Sequence, residues 1–540
     1  MDELKSLVDE FINFQHKSNP FLATRRGDYG YETDVLELNS EQINKNISFL
    51  NDFKNKVNDL PEYKNVSDQN DKRLLLILIE DSLRELEVIK PFETNPGYYA
   101  SQIMSMTHVM LTREYQGINE RMNNLEMRLK KSIYYLKESK SLLTKPNYEL
   151  TRQAILQAKR GGSTYFLKKV PQMIEYQNGS INKSFLKTLE QVVEAFNEHV
   201  ESLEAILPIA DGKFAIGEDV YNEYLKNSYL LDYTNKELID IGNQLLNQTR
   251  MDMISLAKEI DESKTWKEII SEMKKNHPKA QDLLQTYRKE LERVKEFVIE
   301  NKVASVPKNE ELIIIETPEH MRSLFPYAGY SRPAAFDNFQ SGRFWVTPVE
   351  DEMSEEERYE KLKEHMFYKI PVFVLHEGYP GHHLQITTQQ NLNNKLRKIF
   401  HNNLFVEGWA FYCEELLDRL GYISEPKTKL SRLKDQLWRA SRIIIDASLH
   451  SEKMTFNQAV NFLIDNAHLE RSNALAEVSR YIQNPLRPMS YLMGKLELLS
   501  IEKEYRKKHS GSYTMQTFHD RLLGIGALPP KLVKKELFDL

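Results

Sequence analysis

Apolar residues recur at every third or fourth position, with Glu and Lys between them, over five long stretches: residues 71–90, 122–143, 182–207, 235–260 and 277–303. That is the period of an amphipathic helix with one apolar stripe, so each stretch is expected to form a helix that buries one face. Breaks are expected where Gly and Pro cluster, at Gly27 to Gly30, Pro91 to Gly97, Gly161-Gly162 and Asp211-Gly212. One segment has a different rhythm. Residues 312–317 (LIIIET) are short, β-branched and followed by Pro318, which reads as a strand. Residues 327–349 are rich in aromatics, Gly and Pro and alternate at Phe344 and Val346, so a small twisted sheet of two to four strands is expected. Helical patterning resumes at Ser354, where a capping hydroxyl precedes Glu355, Glu356 and Glu357. Turns are expected near Gly421, Pro426, Pro485 to Pro488 and Gly511.

The organisation expected is a helical region over 1–305, a small β element over 306–350 and a helical region over 351–540, packed together as one unit. The fold class is mainly α with a small β-sheet.

Composition narrows the function classes. The 540 residues include 73 basic and 79 acidic side chains, a formal net charge of -6. No basic stripe is present of the kind that nucleic acid or an anionic membrane demands. No apolar run approaches the ~20 residues that span a bilayer; candidates such as residues 74–79 and 312–315 are short. Cys413 is the lone cysteine, so no intramolecular disulfide can form. With an N-terminus that lacks an apolar signal core, this leads to the expectation of a cytoplasmic protein.

The chemistry is concentrated in His376-Glu377-Gly-Tyr-Pro-Gly-His382-His383, entered from the apolar run Val372-Phe-Val-Leu. A hydrolytic zinc site uses three protein ligands and a water, with a carboxylate beside it as base. Its common sequence form is His-Glu-x-x-His on one helix. Here the fifth position is Pro380. In an unbroken helix His382 would be rotated by about 240° from His376, and His383 would lie ~10.5 Å further along the axis. Pro380, however, clashes with the carbonyl four residues back, that of His376, and Gly378 and Gly381 loosen the turn. The helix must bulge or break between Glu377 and His382. A bulge of two residues would bring His382 to the place of the usual second ligand, with His383 as the alternative ligand or a partner behind it. Glu407, in Phe405-Val-Glu407-Gly-Trp-Ala-Phe-Tyr-Cys-Glu414, is the expected third ligand. It shares a helix face with Ala410, Phe411 and Glu414, and Ala410 is small enough to let this helix approach the first. Glu414 is the fallback ligand or the partner of a ligating imidazole. Trp409, Tyr412 and Cys413 read as packing residues.

The segments HEGYPGHHLQ (376–385) and VEGWAFYCE (406–414) resemble the two signature blocks of the bacterial "domain of unknown function 885" family, which is grouped with zincin-like metallopeptidases. Further blocks support the resemblance: Phe21-Leu-Ala-Thr24 with Gly27; Gly217 to Tyr221 and Thr234 to Leu238; Trp438 to Arg442 with Asp446, His450 and Met454-Thr455; and Arg480-Tyr481 to Gly494. The resemblance implies a zincin-like helical metallopeptidase architecture. The family usually has Pro-Gly-Gln-Ala after the Arg-Tyr pair, whereas this chain has Pro485-Leu-Arg-Pro488, a departure that bears on substrate specificity. Within these blocks Tyr481, Tyr491 and His450 are candidate donors to a developing oxyanion, and Asp446, four residues before His450, is placed to orient it. Arg480 is a candidate clamp for a substrate carboxylate, or a partner of Glu477. Tyr327 and Tyr330, with the strand around Phe344 to Val346, are a candidate edge for an extended peptide.

The expectation is therefore a hydrolase with one Zn2+ ion held by His376, His382 and Glu407. Glu377 is the base, Tyr491 and His450 assist, and Arg480, Tyr481 and Tyr330 contact substrate. A long helical N-terminal half implies a deep cleft and short peptide substrates. The rival readings are a hydrolase of esters or non-peptide amides and a non-catalytic metal-binding protein.

Overall fold

The computed structural model describes residues 2–317, 322, 327–350 and 353–540; Pro318 lies outside them. The chain forms two compact units. One comprises 1–214 with 334–336, the other 215–333 with 337–540. The helical stretch expected over 1–305 is thus shared between the two.

The five predicted helices are present, some with ends shifted by a few residues. Asn182 caps Lys183–Ile206 by accepting the Phe185 N–H, and Thr234 with Glu237 forms a reciprocal capping box on Asn235–Ile260. Ser354 and Glu357 do the same for Glu355–Lys363. The other three are Val66–Arg84, Ile118–Leu142 and Leu283–Glu300. Gly161-Gly162 does not break the chain: both lie inside the helix Tyr148–Thr164. The reason is packing, because a Cβ on Gly161 would lie 2.0 Å from Met104 Sδ, on the helix Gly97–Thr112. The glycine is there for close approach, a use that local sequence does not distinguish from a turn.

The sheet lies in the second unit. It has three strands, β1 (Glu310–Glu316), β2 (Ala328–Ser331) and β3 (Gln340–Val346), in the order β1-β3-β2. β1 runs parallel to β3 with Glu310 opposite Gln340, and β2 runs antiparallel to β3 with Tyr330 opposite Phe344. Phe344 to Val346 therefore lie on the central strand, paired on both sides. They cannot offer the free edge expected of them, since their backbone groups are already used.

Each unit has its own apolar core. That of the first gathers Phe21, Tyr99, Leu129, Phe166 and Phe196. That of the second gathers Leu246, Met253, Leu437, Ile443 and Met493 along the helices Asn235–Ile260, Pro426–His450 and Arg487–Lys508. The site residues are carried on this second core. Arg487–Lys508 crosses Asn403–Arg419 at Gly408 and Gly494, where a Cβ on Gly494 would stand 1.9 Å from the Leu404 carbonyl oxygen. This contact brings Glu407 beside residues at the start of the Arg487 helix.

Candidate metal centre

The helix Ile370–Glu377 ends at Glu377, and a new helix, His382–Gln390, starts at His382. The expected bulge is thus a full break. Gly378, Tyr379, Pro380 and Gly381 form the turn, with a cis peptide between Tyr379 and Pro380. A Cβ at Gly381 would lie 1.9 Å from the His376 carbonyl oxygen, so only glycine fits there. The Gly381 N–H bonds the Leu375 carbonyl at 3.1 Å, and Trp409 donates its indole N–H to the Pro380 carbonyl at 2.8 Å. Trp409, Tyr412 and Cys413 are fully buried.

The break brings the two histidines together. The rings of His376 and His382 are 4.8 Å apart and perpendicular. With Glu407 they form a buried group whose candidate ligand atoms all lie within 4.8 Å of one another. His382 Nε2 is 3.3 Å from Glu407 Oε2. His376 Nδ1 is 2.8 Å from Glu414 Oε1; a carboxylate only accepts, so Nδ1 carries a hydrogen, and in the neutral ring Nε2 keeps its lone pair. Burial disfavours the charged form of His376, but the Glu414 bond and the Glu377 charge hold its pKa above the ordinary value. Burial likewise opposes ionisation of Glu407, yet His382, Arg487 and His376 hold its carboxyl well below the usual range. Two imidazoles and a carboxylate are the donor set of an open zinc site. The fit is supported by His382, whose Nδ1 is buried with no hydrogen-bond partner among the described residues. A buried imidazole served only by one 3.3 Å contact is costly unless another group completes it.

His383 is engaged on both sides. Its Nε2 lies 2.5 Å from Glu310 Oε2 and its Nδ1 3.0 Å from the Tyr330 hydroxyl. Glu310 accepts, so Nε2 donates and Nδ1 accepts from Tyr330. Glu310 also takes the Tyr379 hydroxyl at 2.5 Å and Lys295 at 3.0 Å. Burial pushes against its charge, but the bonds from His383, Tyr379 and Lys295 bring its pKa down to about 2. Tyr330 stays protonated, since burial and the Glu377 charge push its pKa well up. Gly342 of β3 makes room for this network: a Cβ there would lie 2.6 Å from His383 Nδ1. Glu377 itself is half-buried, one residue beyond His376.

On the other side stand arginines. Arg487 Nη2 is 3.1 Å from Glu407 Oε1, and its guanidinium hydrogen-bonds to Tyr491, one helical turn on. Tyr491 is half-buried and feels the Glu407 charge. The guanidinium of Arg442 lies 4.7 Å over its ring. Arg442 is itself held by Glu477 at 2.8 Å and by the Tyr481 hydroxyl at 3.0 Å. Arg480 also pairs with Glu477, the second of its two expected roles. Tyr481 is buried between Arg442, Glu477 and Trp438. His450 is fully buried with Nε2 3.2 Å from the Tyr481 carbonyl. Asp446 stands 3.7 Å from His450, too far for a hydrogen bond, and instead accepts the Tyr221 hydroxyl at 2.8 Å and the Leu486 N–H at 3.2 Å.

Residues 20–537 match the model of a family described as "Bacterial protein of unknown function (DUF885)". The chain belongs to this family. Two solved structures share the fold over nearly the whole length. One is of "a putative lipoprotein of unknown function from Shewanella oneidensis", with TM-score 0.82, 21% identity and 99% of each chain covered. The other is of "the putative lipoprotein from Colwellia psychrerythraea", with TM-score 0.83, 18% identity, and 99% of this chain and 98% of that one covered. At such identities the likeness speaks for the fold alone. A search of curated proteins finds no match. No helix of the described residues is long and apolar enough to cross a membrane.

Sequence reasoning missed Glu310 and Arg487. Glu310 opens an apolar strand, where an acidic residue was a weak signal of inward placement. Arg487 sits in the Pro485-Leu-Arg-Pro488 departure, which marked the position without its role.

Proposed function

We propose that this chain is a zinc-dependent hydrolase of zincin-like architecture, a metallopeptidase acting on short peptides. The observation that carries the reading is the convergence of His376, His382 and Glu407 within 4.8 Å in a buried setting, beside the half-buried Glu377. A bound zinc ion would supply Lewis-acid chemistry and a water of near-neutral pKa. Glu414 fixes the tautomer of His376 so that its Nε2 would be the atom to hold the ion. Glu377 takes the proton of the attacking water on its carboxylate and returns it to the leaving amine. Tyr491, kept protonated by burial and the Glu407 charge, donates to the developing oxyanion. The lone buried Cys413 supports a cytoplasmic setting for this chemistry; the lipoprotein names belong to the two structural relatives.

Metal analysis of the purified protein tests the reading. Wild type should bind one zinc per chain, and His376→Ala, His382→Ala and Glu407→Ala should each lose it. Glu377→Gln should keep the ion while hydrolysis of a short-peptide panel falls by at least ~100-fold. A wild type that takes up no ion after zinc reconstitution sinks the proposal. Retained ion with no turnover of any peptide would leave a metal-binding protein without catalysis. Turnover confined to small esters would move the chain to another hydrolase class.

A further inference from the structure

We infer that Arg487 receives the C-terminal carboxylate of the substrate, so that the enzyme removes the last residue of a short peptide. This rests on the hydrolase reading above and adds the substrate class and the mode of cleavage.

Among the arginines near Tyr491, Arg442 and Arg480 are both committed to Glu477. Arg439 lies 5.9 Å over the Tyr491 ring and pairs with Asp435. Arg487 differs. Its side chain is half-exposed like that of Arg480, but its anionic partner is Glu407, a member of the metal group. One Glu407 oxygen faces His382 and the other faces Arg487. With Glu407 engaged by a divalent ion, Arg487 would be left under-compensated. A guanidinium presents a planar fork that matches a carboxylate in two hydrogen bonds. It stands 3.1 Å from a ligand carboxylate, and a residue spans only ~3.8 Å from Cα to Cα. An anion held there would suit the residue just beyond the bond being cut.

The backbone holds this arginine in place. Leu486 has φ +67°, a left-handed conformation that a branched side chain adopts only under constraint. The constraint is the buried Asp446, which accepts the Leu486 N–H. Arg487 and Pro488 then open a helix of 22 residues. The overall reaction balances as hydrolysis. Water adds across the last amide, its C–N bond breaks, a new carboxylate forms on the shortened peptide, and the terminal residue leaves as a free amino acid.

The rival role for Arg487 is to orient Glu407 for the ion. Calorimetric titration of zinc-reconstituted Glu377→Gln protein with leucyl-leucine and with its C-terminal amide separates the two. The free acid should bind at least ~10-fold more tightly, as expected for loss of a charge-assisted bidentate pair. Adding Arg487→Gln should erase that preference while zinc content stays at one per chain. Arg487→Lys, which keeps the charge but not the fork, should retain part of it. Equal binding of acid and amide, a preference that survives Arg487→Gln, or loss of zinc from Arg487→Gln overturns the inference. Failure of the hydrolase reading is visible separately, as a wild type without zinc, and an acid preference that depends on Arg487 in such a protein would leave the carboxylate receptor standing.

Discussion

His383 and His382 are neighbours to which the proposed zinc site gives opposite roles, according to what each ring already touches. Both nitrogens of His383 are spent on Glu310 and Tyr330, whereas His382 has one nitrogen at Glu407 and the other without a partner among the described residues. Replacing His383 by Ala should leave zinc stoichiometry intact but strip the buried Glu310 carboxylate of a main partner, at a cost of about 3 kcal/mol, read as a lower urea midpoint. Loss of zinc from this variant with no change in stability would reverse the assignment. Glu414→Gln acts on the other histidine. It removes the charge that orients His376, and zinc affinity should fall about 10- to 100-fold with the fold preserved, as measured by competition with a chelator.

At the level of elements, the site depends on how closely two helices pass. Asn403–Arg419 brings Glu407 and Arg487–Lys508 brings Arg487 and Tyr491, and they meet where Gly408 faces Gly494. Gly494→Ala sets two effects against each other. Helix propensity favours Ala by ~1 kcal/mol, but the new methyl would sit 1.9 Å from the Leu404 carbonyl oxygen, a backbone atom that cannot rotate away. Overpacking of this kind costs about 3 kcal/mol, so the variant should be less stable by about 2 kcal/mol and weaker in zinc binding. Gly511→Ala, where a Cβ meets nothing within 4 Å, is the control and should change stability by less than ~0.5 kcal/mol. Equal stability of the two variants in urea unfolding would show that the crossing is looser than described.

Across the molecule, pH dependence should be set by histidines buried in the neutral form. Burial brings His199 down to about 4 in the first unit, and His365 to about 3 and His450 and His519 to about 4 in the second. His519 shows why: Nδ1 bonds the Val303 carbonyl at 2.7 Å and Nε2 the Tyr412 hydroxyl at 2.9 Å, so added charge would be unsolvated. Each folded-state pKa is lower than the unfolded value near 6.5, so the unfolded chain binds more protons between them. The associated stability is whole above pH 6.5 and is lost as pH falls through about 4. A shift of this size corresponds to about 3 kcal/mol per histidine when fully expressed. Urea midpoints should drop steadily from pH 7 to pH 5, and His519→Gln should flatten the slope. A midpoint independent of pH over that range would contradict the neutral burial of these rings.

Much of this was legible in the chain because local sterics and capping act over a few residues. Pro380 and the glycines beside it forbid a continuous helix whatever surrounds them, and Ser354 with Glu357 starts a helix by its own hydrogen bonds. Helical periodicity likewise marks which stretches must bury a face. The misreading of Gly161-Gly162 and the silence on Glu310 have one source: the same residue is a breaker or a contact, surface or buried, according to what packs on it from elsewhere in the chain. The sequence by itself determined that the His-Glu motif is opened. Only the tertiary structure decided which histidine meets His376. The turn is pinned by Trp409, His383 is claimed by Glu310 and Tyr330, and Glu407 is delivered by a helix crossing at Gly494. Those are contacts between segments far apart in the chain, whose free energy no local pattern encodes.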